Sequence, residues 1–245
     1  MRDVIAIIPA RSGSKSVKNK NIEKICNYPL IAYTVAAAKL SKNINRVIVS
    51  TNNKDYAKIA KSFGAEVPFL RPKKISGPNS SDREFIIHAI NWLKKNDQYL
   101  PEYWVHLRPT TPIRDPKIID KAIMRMKKSK IATSLRSAHL ASESPFKWFK
   151  LKKNNFLKEI VDNKLGIEIT NLPKEKFDQV YIPNGYVDIL RSSYMLNNDT
   201  IHGKKIMGFV TPIVSEVDSL NELDYIRYQM VSKNNPLLSY LKKNY

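Results

Sequence analysis

The chain of 245 residues is poor in cysteine and glycine, and it has no long apolar run. Its single cysteine, Cys26, excludes intramolecular disulfides and any multi-cysteine metal site, which suits a reducing compartment. No stretch of about 18 uninterrupted apolar residues occurs, so we expect no membrane span. The opening segment, Met1-Arg2-Asp3-Val4, enters a predicted strand without a signal-peptide core, which favours a cytoplasmic protein.

Acidic residues are scarce relative to basic ones, and the formal net charge is +20. Such a charge favours nucleic acid, an anionic membrane surface or small polyanionic substrates as partners. The lysines, however, lie in short dispersed groups such as Lys73-Lys74 and Lys152-Lys153 rather than in one stripe. We therefore attribute most of the charge to compositional bias, and we expect neither nucleic acid nor a membrane as partner.

Short β-rich segments alternate with helical patterns through the first 136 residues. The predicted strands are residues 4–8, 46–51, 67–70, 103–107, 131–136, 186–190 and 206–210. The predicted helices are residues 30–40, 54–63, 82–95, 116–128 and 220–231. This order is typical of an α/β fold with a mainly parallel sheet and right-handed crossovers. Residues 138–183 lack helical periodicity but carry aromatic patches, so we expect an inserted hairpin or arm there.

The segment after the first predicted strand, IIPARSGSKSVKNKN, changes abruptly from apolar to cationic. Gly13 and the serines let the backbone approach a ligand and point N–H groups at it, and Arg11 can hold phosphate oxygens in a bidentate contact. The segment is neither GxxxxGK[ST] nor GxGxxG, so neither an ATPase nor a dinucleotide-binding fold is indicated. A solvated turn is the alternative, and it explains Lys18 better than Arg11.

Four further loops follow predicted strands, and sheets of this kind bind ligands at the carboxyl ends of their strands. They contain Ser50-Thr51-Asn52-Asn53, Leu70-Arg71-Pro72, LRPTTPIR from Leu107 to Arg114, and SEVD from Ser215 to Asp218. In an extended chain Glu216 and Asp218 project from the same face, which suits Mg²⁺ bound together with the phosphates of a nucleotide. Asp218 is equally a good cap for the following helix.

Together these loops, in this order, resemble the acylneuraminate cytidylyltransferases, the CMP-sialic acid synthetase family. The matching segments cover nearly the whole chain: IIPARSGSKSVKNKN, VSTNNKDYAKIAKSFGAEVPFLRP, LRPTTPIRD, PNGYVDIL and SEVDSLNELD. The resemblance implies one Rossmann-like, three-layer nucleotidyltransferase domain over residues 1–245, with a small dimerisation arm inserted at about 138–183. It further implies transfer of CMP from CTP to the anomeric hydroxyl of an acidic nine-carbon 2-keto sugar, release of pyrophosphate, Mg²⁺ as cofactor and a homodimer.

The resemblance also implies roles for individual residues. The catalytic residues would be Arg11 and Lys20, with Lys20 near the reacting α-phosphate. The nucleotide-binding residues would be Ser14, Lys15, Asn21, Arg71 and Ser81. The sugar-binding residues would be Arg108, Thr110, Lys174, Asn184 and Gly185. Glu216 and Asp218 would hold Mg²⁺.

The sugar half departs from the family pattern more than the nucleotide half does. Asn52 replaces the acid of the usual Ser-Thr-Asp, and Arg108 replaces a glutamine. In the usual motif Asn-Gly-Ala-Ile-Tyr the last residue is a tyrosine, and here Asp188 stands at that position. The segment before this motif, which usually carries an arginine, reads Lys174-Glu175 here. These departures leave the acceptor open among sialic, legionaminic, pseudaminic and the eight-carbon Kdo-type acids. Two alternatives of a different kind also stay open: a nucleic-acid or anionic-surface binding protein, and a paralogue that binds nucleotide without turnover. The pattern names no general base.

Overall fold

The computed structural model describes residues 4–14, 16–232 and 235–245, and its centre is a six-stranded sheet. The strands are β1 Val4–Pro9, β2 Lys24–Ile25, β3 Tyr28–Pro29, β4 Arg46–Ser50, β5 Tyr103–His106, β6 Ser134–Leu140, β7 Phe149–Leu151, β8 Leu157–Glu159, β9 Tyr181–Arg191 and β10 Ile206–Val210. The helices are α1 Leu30–Leu40, α2 Lys54–Ser62, α3 Asp82–Asn96, α4 Pro116–Lys128, α5 Ser192–Leu196, α6 Leu220–Ser232 and α7 Pro236–Asn244.

The central sheet has the order β10-β6-β9-β5-β1-β4. β1 pairs in parallel with β4 and β5, β10 pairs in parallel with β6, and β9 runs antiparallel between β5 and β6. The predicted α/β class with a mainly parallel sheet is therefore confirmed, with β9 as the exception. The carboxyl ends of β1, β4 and β5 meet at one edge, where ligands of open α/β sheets bind.

Both faces of the sheet are covered by apolar side chains, which gives three layers. One face packs against α1, α4 and the C-terminal helices, and the other packs largely against α3. Helix starts follow local rules: Ser81 and Glu84 form a capping box for α3, and Asp115 caps α4 ahead of Pro116. These caps fix where the loops from the sheet edge enter the helices.

Several elements differ from the sequence-based expectation. The β2–β3 pair and α5 were not predicted, and β9 begins at Tyr181, inside the region assigned to the arm. The strand predicted at residues 67–70 is reduced to isolated bridges, Ile48 with Glu66 and Thr51 with Leu70, because Pro68 has no N–H to extend the pairing. The strand predicted at 131–136 begins at Ser134 and continues to Leu140, inside the region assigned to the arm. Helix α7 was not predicted, although Asn235 caps it.

The predicted arm lies between β6 and β9. It contains the antiparallel hairpin β7–β8 and short 3₁₀ turns. Its role as a dimerisation arm stays a prediction. None of the helices within the described ranges is long and apolar enough to span a membrane.

Candidate active site

A cavity of about 460 Å³ opens at the carboxyl end of β1. The structure brings many of the predicted site residues into its walls: Arg11, Ser14, Lys20, Asn21, Arg71, Arg108 and Thr110. The loop after β1 supplies Arg11, Ser14, Lys20 and Asn21, and the loop after β5 supplies Arg108 and Thr110. Arg71 comes from the segment between α2 and α3. The cavity therefore lies where the parallel strands β1 and β5 end. Lys15 falls outside the described residues.

The loop after β1 is held by two amide side chains. Asn21 donates from Nδ2 to the carbonyl oxygen of Arg11 at 3.0 Å. Asn52 Oδ1 accepts from the backbone N–H of Ser12 at 2.8 Å and from its hydroxyl at 3.2 Å. A neutral amide oxygen therefore provides the hydrogen-bond acceptor at the position where the family pattern has an acid.

Lys20 links the first loop to the loop after β10. Its Nζ donates to Val217 O at 3.0 Å and lies 3.0 Å from Asp218 Oδ1. The Lys20 side chain is only 11% exposed, whereas that of Asp218 is 70% exposed. The backbone enters this turn through Asn19 in the left-handed region, at φ 55°. The lysine is thus a fixed cation at the cavity wall.

Arg71 is buried at the cavity wall. Its guanidinium donates to Ser50 Oγ at 3.0 Å and to Ser50 O at 2.8 Å, and it stacks over Phe85 at 4.6 Å. Burial, with Arg11 nearby, lowers the pKa of Arg71 to about 10, so the group stays charged near neutral pH. Ser81, a predicted nucleotide contact, caps α3, and its neighbour Ser80 lines the cavity instead.

A second buried arginine, Arg114, ties the loop after β5 to β9. It donates to Arg108 O, Gly185 O and Tyr186 O, each at 2.7 Å, and also to Thr34 Oγ1 and Thr111 O. Burial lowers the pKa of Arg114 to about 9. Sequence reasoning noted Arg114 as a loop arginine and missed this structural role.

Asn184 and Gly185 lie on β9 next to the predicted metal pair, and neither lines the cavity. The Gly185 N–H donates to Glu216 Oε1 at 2.6 Å, and a Cβ on Gly185 would lie 2.6 Å from Thr111 Oγ1. Asn184 Nδ2 donates to Thr211 Oγ1 at 2.9 Å. In this structure both residues therefore stabilise the packing of β9 against the loops around Thr111, Thr211 and Glu216.

Glu216 and Asp218 flank Val217, which is fully buried. Ser219 rather than Asp218 caps α6, because its hydroxyl accepts the N–H of Glu222 at 3.3 Å. Asp218 is therefore available to Lys20 or to a ligand. The described ranges contain no group of three acidic, histidine or cysteine side chains placed to hold a metal. Mg²⁺ in proteins is often held by only one or two carboxylates, with its other ligands supplied by substrate phosphates and water.

Arg108 is clamped by two acids that sequence reasoning did not assign. Its Nη1 lies 3.0 Å from Asp188 Oδ2, and its Nη2 lies 2.9 Å from Asp82 Oδ2. Two departures from the family pattern, Arg108 and Asp188, thus contact each other. Burial alone would lower the pKa of Arg108, but the two carboxylates outweigh burial and raise it. Beneath them His106 is fully buried, and burial lowers its pKa to about 4, so the imidazole is neutral.

Lys174 lies apart from these residues. Its Nζ donates to Ser142 O at 3.0 Å within the arm, and it lines a different cavity of about 510 Å³. A single copy of the chain does not bring Lys174 into the cavity at the end of β1.

Comparison with known proteins adds a family and several relatives. A family model described as cytidylyltransferase matches residues 5–204. An N-acylneuraminate cytidylyltransferase of Escherichia coli O18:K1:H7 is 28% identical over 229 residues, covering 91% of this chain and 50% of that protein, so the chain spans half its length. A CMP-N,N'-diacetyllegionaminic acid synthase of Campylobacter jejuni is 27% identical, covering 92% of this chain and 93% of that protein.

Among solved structures, a CMP:2-keto-3-deoxy-manno-octonic acid synthetase complexed with CTP is similar at a TM-score of 0.70. The likeness covers 94% of this chain and 99% of that one at 14% identity. At this identity the likeness shows the fold, a Rossmann-like α/β domain shared with cytidylyltransferases.

Proposed function

Because a family model covers most of its length, this chain belongs to the cytidylyltransferase family, and from this premise we propose that it transfers CMP from CTP to the anomeric hydroxyl of a nine-carbon 2-keto sugar acid. The observation that carries the proposal is the convergence of Arg11, Lys20 and Arg71 on one cavity at the carboxyl edge of the parallel strands. Three cations at that edge, of which Lys20 and Arg71 are held by buried hydrogen bonds, suit a triphosphate.

The reaction joins two anions, so the site must offset negative charge before they approach. The anomeric oxygen forms the new bond to the α-phosphorus, the bond from that phosphorus to the bridging oxygen breaks, and pyrophosphate leaves with the electron pair. The acceptor hydroxyl releases its proton to solvent water, and no side chain is assigned as a general base. Most catalysis of phosphoryl transfer comes from positioning and electrostatic stabilisation. Lys20, already fixed by Val217 O and Asp218, contributes such a preorganised charge.

We propose Mg²⁺ as the cofactor, held by Glu216 and Asp218. When bound, the ion supplies positive charge to the phosphate oxygens of the nucleotide. Metal binding at Asp218 would compete with the Lys20 ion pair and leave that lysine free to contact phosphate.

The acceptor class follows from the relatives. The Escherichia coli protein is named for N-acylneuraminate and the Campylobacter jejuni protein for diacetyllegionaminic acid. Pseudaminic and Kdo-type acids are the alternatives within the same chemistry. The test measures pyrophosphate release by the purified chain with CTP and each acid in turn. Release that depends on both CTP and a nonulosonic acid supports the proposal.

We propose that the protein is a homodimer formed through the arm. Cross-strand pairing of Leu151 with Leu157 places both on one face of the β7–β8 hairpin, and they are 67% and 49% exposed. Covering such a face stabilises an interface by removing apolar area from water. Light scattering of the wild type should give twice the mass of one chain, and Leu151→Asp should reduce it.

The single cysteine supports a cytoplasmic location, and the dispersed lysines argue against nucleic acid as partner.

A further inference from the structure

Four buried polar atoms, in three residues next to Arg108 of the cavity wall, have no hydrogen-bond partner in the described parts of the chain. They are both ring nitrogens of His106, Asp188 Oδ1 and Arg136 Nε. The three residues are direct cross-strand neighbours: His106 on β5 faces Asp188 on β9, which faces Arg136 on β6. Neighbours in register place their side chains on the same face of the sheet. Buried polar groups in folded proteins nearly always have a hydrogen-bond partner. We therefore expect a polar group of a ligand to bind next to His106, Asp188 and Arg136.

Asp188 stands between two arginines. Its Oδ2 lies 3.0 Å from Arg108 Nη1, and its Oδ1 lies 3.9 Å from Arg136 Nε. A fully buried carboxylate is costly unless opposite charges compensate it, and here each oxygen faces a different guanidinium. The pairing of β6 with β9 shifts register immediately after Arg136, and such bulges redirect side chains near active sites.

The two arginines differ in how many of their guanidinium N–H donors are already bound. Arg108 has both terminal nitrogens on carboxylates, those of Asp188 and Asp82. Within the described ranges the Arg136 side chain makes no hydrogen bond, and it is 40% exposed. A planar guanidinium with free donors matches a carboxylate in a bidentate contact.

We propose that Arg136 binds the carboxylate of the acceptor sugar acid and that Asp188 is the positioning residue that holds Arg136 beside Arg108. This inference rests on the proposed function, since it identifies the acid-binding group of the same site. The other cations of the cavity are Arg11 and Lys20 in the loop after β1 and Arg71 between α2 and α3, where the triphosphate is proposed to bind.

The test compares Arg136→Gln and Arg136→Lys with the wild type and with a control, Arg125→Gln, which alters an exposed arginine on α4. The acceptor is whichever of N-acetylneuraminate, N,N'-diacetyllegionaminate, pseudaminate and Kdo the wild type converts fastest, assayed beside its C1 carboxamide. We expect Arg136→Gln to raise the KM for the acid about tenfold to a hundredfold, because a charge-assisted contact is lost. The KM for CTP should stay within about twofold, and Arg136→Lys should recover part of the loss.

The carboxamide separates recognition from a structural effect. The wild type and Arg125→Gln should prefer the acid, and Arg136→Gln should lose most of that preference, which a mere loss of stability would not cause. An unchanged KM for the acid, or an unchanged preference over the carboxamide in Arg136→Gln, overturns the inference while leaving the proposed function intact. A wild type that converts none of the four acids with CTP overturns the proposed function and the inference with it.

Discussion

Replacing Lys20 by alanine removes the cation that joins the first loop to the loop carrying Asp218. The variant loses the contacts of Lys20 Nζ with Val217 O and with Asp218 Oδ1, both at 3.0 Å. The first is a hydrogen bond to a backbone oxygen, worth about 1 kcal/mol. The second involves a carboxylate that is 70% exposed, so solvent screening reduces its contribution to about 0–1 kcal/mol.

The free energy of unfolding should therefore fall by only about 1–2 kcal/mol, and Tm by a few degrees. Catalysis should suffer far more, because the loss of one preorganised charge in a phosphoryl-transfer site lowers kcat by about 10²–10³. The assay is pyrophosphate release at saturating CTP and acceptor, beside a thermal melt. Lys61→Ala, on the exposed side of α2, is the matched control and should behave as the wild type.

A Lys20→Ala variant whose kcat stays within about fivefold of the wild type would refute the assignment, as the expected effect is at least about a hundredfold. A variant that has lost both activity and its cooperative melt would instead show that the structural role of Lys20 exceeds the estimate above.

Three further predictions concern other parts of the site. Gly185→Ala should lower stability by about 1–3 kcal/mol, because its Cβ would lie 2.6 Å from Thr111 Oγ1, whereas Gly208→Ala, with open space around it, should melt like the wild type. His106 has its pKa lowered from 6.5 to about 4 by burial, so its contribution to stability is present above about pH 6.5 and is lost as the pH falls towards 4. In the wild type the free energy of unfolding, measured by urea denaturation, should fall by up to about 3 kcal/mol from this group between pH 6.5 and 4. His106→Gln should remove that part of the fall, and an unchanged pH dependence in the variant would contradict this. Asp218→Asn should raise the Mg²⁺ concentration for half-maximal activity by about tenfold, and identical Mg²⁺ titrations would count against the metal pair.

The alternation of apolar strands and amphipathic helices predicted most of the fold because parallel strands are buried on both faces and read as short apolar runs. The direction of β9 was not available from that pattern, since a strand buried between two others looks the same in either direction. Helix α7 at the end of the chain was also missed, although Asn235-Pro236, a cap followed by a first-turn proline, signals its start.

The residues of the candidate site likewise fall into those that the sequence could place and those that it could not. Arg11, Lys20 and Arg71 belong to loops that come after predicted strands, so these loops could be placed at one edge from the sequence alone. Asp82, Asp188 and the role of Arg114 could not be, because their partners are distant in sequence and depend on which strands are adjacent. Asp188 in particular interrupts a buried strand with a charge, and that local inconsistency is the signal that could have marked it.

The most direct test of the account is pyrophosphate release by the purified chain with CTP, ATP, GTP or UTP in combination with sialic, legionaminic, pseudaminic and Kdo-type acids, with Mg²⁺ present. The account predicts release only when CTP is paired with a nine-carbon 2-keto acid, together with formation of the CMP-sugar. Release with no acceptor requirement, or none with any combination while CTP still binds, would contradict it.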